Sequence, residues 1–87
     1  MEYLDNLDYG KFQQAQEKGQ YLEAIQMLIE DVKYNYNRVP KDGNLKNIYT
    51  SIAYLGNENG MMPKTEEKIL NIVKMRRKSF IKAFEEI

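Results

Sequence analysis

Between residues 20 and 37 the apolar side chains return with a helical period. With successive residues set 100° apart, Tyr21, Ala24, Ile25, Leu28, Ile29, Val32 and Tyr36 fall on one broad stripe, and Glu23, Gln26, Glu30 and Lys33 lie opposite. A helix patterned this way must lay its apolar face against other elements, so this segment commits the chain to a packed helical core.

The rest of the chain supplies partners for it. Breaks fall at Gly19, at Val39 through Gly43, and from Gly56 through Pro63, because glycine tolerates left-handed backbone and proline lacks an amide donor. Residues 3–18 place Leu4, Leu7, Phe12 and Ala15 loosely on one face. Gly10 weakens that helix by about 1 kcal/mol relative to alanine, which predicts a break or late start near Asp8. Residues 44–55 carry Leu45, Ile48, Tyr49, Ile52, Ala53 and Leu55 on one stripe, with Asn44 as candidate N-cap and a turn expected at Asn57-Glu58-Asn59-Gly60. From about Thr65, a candidate cap, Ile69, Ile72, Val73, Phe80, Ala83, Phe84 and Ile87 align within about 120° of arc. That fourth helix would extend ~33 Å, twice the third, so its last turn is expected to overhang its neighbours and offer a contact for a second subunit. No segment alternates as a half-buried strand does. The expected fold class is all-α: residues 1–87 as one domain, a small antiparallel helical bundle of three strong helices plus a weaker N-terminal one.

Composition removes most catalytic chemistry. The chain has no cysteine and no histidine, which excludes disulfides and thiolate nucleophiles and takes away the commonest general base and transition-metal ligand. Asp42-Gly43-Asn44 lacks the alternating oxygen ligands and closing glutamate of a calcium loop. The adjacent acidic pairs Glu30/Asp31, Glu66/Glu67 and Glu85/Glu86 diverge on a helix instead of converging, and no glycine-rich phosphate loop is present. A non-enzymatic protein without metal or cofactor is expected. The N-terminal MEYLDNLDYGKF carries acids and no basic, apolar signal region, and no apolar run approaches the ~18 residues of a membrane span, so a cytoplasmic location is expected.

The net charge is zero but unevenly placed. Residues 1–43 carry five Lys/Arg against eight Asp/Glu, and residues 44–87 carry eight against five. Such asymmetry fits either a binding face or an acidic half packed on a basic half.

Arg76 falls near the centre of the fourth apolar stripe, where it must pair with a carboxylate, extend along its stem to the rim, or present a planar guanidinium to a carboxylate or phosphate. Around it, Lys74, Arg76, Arg77, Lys78 and Lys82 put five cations within nine residues with no acid among them. On a helix Lys74, Lys78 and Lys82 form one outward stripe with Arg77 on a flank, a candidate phosphate-binding face. A helix-turn-helix over residues 48–78 is disfavoured, because Glu66 and Glu67 would meet phosphates at the N-terminal end of the reading helix. Tyr54 points away from its helix's stripe, and Met27 and Tyr34 lie seven residues apart on the side of the second helix away from the main core. These are candidate protein-contact residues.

The turn Lys18-Gly19-Gln20-Tyr21-Leu22-Glu23-Ala24-Ile25 resembles the middle of a tetratricopeptide repeat, with Gly19, Tyr21 and Ala24 matching that pattern. The resemblance covers roughly residues 12–32. It implies a close helical hairpin there; no second copy follows at the 34-residue period, so it brings no peptide-binding function with it.

The leading expectation is a small binding or inhibitory protein that docks a protein partner. The Asn-, Lys-, Ile- and Tyr-rich composition suits an AT-rich bacterial or phage genome, and size and helix count allow an analogy with bacteriocin-immunity bundles. The alternative is a nucleic-acid-binding accessory protein using the basic stripe. A self-assembling protein, such as a homodimer, comes third.

Overall fold

A computed structural model of the chain describes residues 1–57 and 63–87. Four α-helices follow in order: α1 (Tyr9–Glu17), α2 (Tyr21–Tyr36), α3 (Gly43–Gly56) and α4 (Pro63–Glu85). There is no strand among the described residues. The fold is the expected all-α bundle. Helix α1 does start late, at Tyr9, with the Asp8 carboxylate accepting from the Lys11 amide at 3.1 Å. The turn expected at Asn57-Glu58-Asn59-Gly60 lies largely outside the described residues.

Helix α1 ends where Gly19 takes φ 72°. The Gln20 amide reaches back to the Ala15 carbonyl at 2.8 Å and the Gly19 amide to that of Gln16 at 3.1 Å, a Schellman closure that folds α1 onto α2. Helix α3 is capped two residues earlier than expected: Asp42, not Asn44, is the N-cap, accepting from the Asn44 amide at 2.8 Å and the Leu45 amide at 3.4 Å. A carboxylate there also suits the positive end of the helix dipole. Helix α4 begins at Pro63, the position where a missing amide hydrogen costs nothing, so Thr65 lies inside the helix instead of capping it.

Helices α2, α3 and α4 pack on one another, and α1 packs on α2. Tyr36, at the end of α2, stacks on Tyr49, midway along α3, with ring centroids 4.6 Å apart and planes 6° off parallel. Ile25 and Ile29, early in α2, meet Gly56 at the end of α3. Those two helices therefore run antiparallel. A Cβ on Gly56 would come within 1.9 Å of Ile29 Cδ1, so glycine permits this approach. The core is closed by Ala24, Ile25, Val32, Ile52, Val73, Phe80 and Phe84, all with no exposed surface.

Two expectations about α4 are overturned. Its buried face includes Leu70, 1% exposed, whereas Ile72 and Ile87, placed in the stripe by periodicity, are 40% and 52% exposed. Nor does the last turn overhang, because Phe84 is fully buried. What covers it is the extended segment ahead of α1, whose Tyr3 meets Phe84 edge-on at 5.6 Å, together with the Arg38 guanidinium 5.6 Å from its ring centroid.

Candidate functional site

Residues 1–7 form a strap without regular structure across α2 and α4, held by polar side chains buried on α2. Asp31 is 3% exposed and Asn35 is 0% exposed, in positions where an unpaired polar group would be costly. Neither is unpaired. Asp31 accepts from the Tyr3 hydroxyl, from the Asn6 amide at 2.7 Å and from Arg77 Nε at 3.0 Å. Asn35 accepts from the Leu4 amide and donates to the Leu4 carbonyl, both at 2.8 Å, holding the strap by its main chain. Arg38 adds bonds to the Glu2 carbonyl at 3.0 Å and to the Asn35 side chain at 2.9 Å.

Arg77 ties this network to α4. Its second contact is Nη2 to Asp5 Oδ1 at 3.1 Å, and Asp5 in turn accepts from the Tyr9 hydroxyl. Burial works against the guanidinium charge, but attraction to Asp31 overcomes it and holds the arginine above its ordinary pKa. For Tyr3, burial and then the Asp31 carboxylate both push the hydroxyl far above the ordinary tyrosine range. Partial burial pulls the Asp5 carboxyl upward. Bonds from the Tyr9 hydroxyl and Leu7 amide, with the Arg77 charge, outweigh this and leave it below the usual carboxylate range. Tyr9 is raised, first by its bond to Asp5 and then by burial.

The placement of the two central arginines corrects the sequence reading. Arg76, expected in the apolar stripe, is exposed, and Arg77, expected on a flank, is the inward cation. Lys74, expected on the outward stripe, donates to the Gln16 side chain and stands 5.6 Å from the Phe12 ring centroid, packed against α1. Lys78 and Lys82 are exposed, as expected. Of the five cations in the run, Lys74 and Arg77 are thus engaged inside the fold.

Tyr54 is 69% exposed and Tyr34 49% exposed, whereas Met27, expected on the side of α2 away from the core, is half-buried against it. Met27 and Tyr34 do come together: with Leu7 they make the apolar wall of an open groove of about 470 Å³, and Asn6, Asp8, Gln26 and Glu30 form much of its polar remainder. Neither Tyr54 nor Arg76 lines it. Met27 and Tyr34 come from α2 and Leu7 from the strap, so Asp31, which lines the groove and bonds the Asn6 amide, positions the groove as well as the strap.

Tyr3 carries no signal in the periodicity. The one available hint is on α2, where Asn35 falls within the arc of the apolar stripe and Asp31, four residues earlier, falls at its edge. Among the described residues no three acidic side chains gather to hold a metal ion, and no helix is long and apolar enough to cross a membrane. No family model matches the chain, and comparison with curated proteins and with solved structures finds no match.

Proposed function

We propose that this chain is a small non-enzymatic binding protein that docks a protein partner in the groove between α2 and the N-terminal strap. The observation that carries the reading is the joining of Met27, Tyr34 and Leu7 into one concave apolar wall, on a face where an isolated helix would present scattered side chains. Tyrosine and methionine suit such a role, since both give large contact area and methionine adapts its shape. A bacterial or phage regulator, or an immunity-type inhibitor of similar size, is the concrete form this reading takes.

A second reading rests on the exposed cations Arg76, Lys78 and Lys82, which leave a nucleic-acid contact on α4 open to proposal. Affinity capture from a lysate of the native host, with and without nuclease, separates the two. The baits are the unaltered chain, Met27→Ser with Tyr34→Ser, and a reversal of Arg76, Lys78 and Lys82 to glutamate. Arg77 is left alone because it is paired with Asp31 and Asp5 inside the fold. A protein that survives nuclease, stays with the charge-reversed bait and is lost from the Met27/Tyr34 bait supports partner docking in the groove. Nucleic acid held only by baits with intact cations would replace that reading with the second.

A further inference from the structure

We infer that the groove face of α2 on one copy docks the exposed basic face of α4 on a second copy, head to tail. The inference rests on reading the Met27–Tyr34 groove as a docking surface, and it identifies a second copy of this chain as an occupant.

On α2, Glu23, Met27, Glu30 and Tyr34 follow at spacings of four, three and four residues, which sets them in one stripe. Both glutamates are exposed, and neither has an ion-pair partner among the described residues. Asp8 adds a third carboxylate at the groove edge, and Lys33, the one lysine of α2, falls outside the stripe. Helix α4 presents the converse. Lys68, Ile72, Met75 and Arg76 are exposed on its outer side, Ile72 by 40% and Met75 by 69%, and neither cation is ion-paired among the described residues.

The spacings match as well as the signs. Glu23 and Glu30 stand about 10.5 Å apart along the axis with Met27 between them. Lys68 and Arg76 stand about 12 Å apart with Ile72 and Met75 between them. Two acids flanking an apolar side chain therefore meet two bases flanking two. With zero net charge on the whole chain, copies approach without overall repulsion, and the acidic first half of one is drawn to the basic second half of another. Because the two faces differ, each copy offers one of each, and the contact repeats from copy to copy.

The test is mass in solution by light scattering over a concentration series. It is run at about 0.05 M and about 0.5 M salt, between which the Debye length falls from roughly 14 Å to roughly 4 Å. The unaltered chain should exceed monomer mass at low salt, increasingly with concentration, and return toward monomer at high salt. Two variants, Glu23→Lys/Glu30→Lys and Lys68→Glu/Arg76→Glu, should each stay monomeric, since each carries two faces of one sign. Mixed in equal amounts they should associate again. All four positions are exposed, and circular dichroism checks that the helices persist; Glu→Gln and Lys/Arg→Gln versions replace any variant that does not fold. An unaltered chain that is monomeric throughout, or a mixture no heavier than its parts, would overturn the inference. If that same monomeric chain still captured a protein through Met27 and Tyr34, only the self-docking would fall, and partner docking in the groove would stand.

Discussion

Arg77 on α4 reaches Asp31 on α2 through Nε at 3.0 Å, with side chains only 12% and 1% exposed, and this pair joins the two helices at the depth where the strap crosses them. Removing one member of a buried pair leaves an uncompensated charge, which costs about 3–5 kcal/mol. Arg77→Ala should therefore destabilise the fold by about 3 kcal/mol in urea unfolding, whereas Arg76→Ala should stay within about 0.5 kcal/mol of the parent. Equal effects of the two substitutions would refute the placement of Arg77.

At high pH the strap should weaken. Tyr3 has its folded pKa raised above the unfolded value near 10, so its contribution is fully present below about pH 10 and declines as the pH climbs further. Urea midpoints measured from neutral to strongly alkaline pH should show this decline. Tyr3→Phe should be less stable at neutral pH, having lost the bond to Asp31, but flatter above pH 10. Tyr9, raised in the same direction, should leave a smaller residual slope.

At low pH Asp5 acts in the opposite sense. Its folded pKa lies below the unfolded value, so its contribution is present above the ordinary carboxylate pKa near 4 and is lost as the pH falls through the lowered folded value. The side chain is 42% exposed, which keeps the contribution below about 1 kcal/mol. Asp5→Asn should reduce the acid slope of stability without changing its sign.

Much of the helical architecture is readable from the chain because it depends on local spacing. The α2 stripe and the exposure of Tyr54 follow from counting residues around a helix, and the late start of α1 after Asp8 follows from the low helix propensity of Gly10. Arg77 does not. Counting Ile72 and Ile87 as core residues turns the apparent α4 face toward Arg76, whereas the actual face is set by Leu70 and by a carboxylate 46 residues away. Periodicity treats a cation in the apolar arc as an exception, and only the non-local Asp31 shows which arginine is accommodated. The strap escapes for the same reason: its main-chain bonds go to Asn35 and Asp31, and no pattern within residues 1–7 announces them.

The α2–α3 crossing offers a test of packing. Gly56→Ala brings a methyl group onto Ile29 Cδ1, at a cost of about 1–3 kcal/mol for overpacking, offset in part by the better helix propensity of alanine. A net loss of about 1 kcal/mol is expected. In an Ile29→Val background the obstructing atom is absent, and Gly56→Ala should then be neutral or stabilising. A double-mutant cycle in the thermal midpoint reads the coupling directly. Additive effects would mean that the two residues do not meet.

Asn35 grips residue 4 by its peptide N–H and C=O, and Arg38 takes the carbonyl of residue 2. Peptide groups look alike whatever side chain they carry. Under mutational drift, positions 2 and 4 are therefore free to wander through most of the amino-acid alphabet, with proline barred from position 4 because its amide hydrogen is required. Position 3 has no such latitude, since its hydroxyl and ring both seat inside. The strap is thus a small region in which neighbouring residues should evolve at very different rates, and its outer surface can acquire new contacts while the fold beneath stays the same.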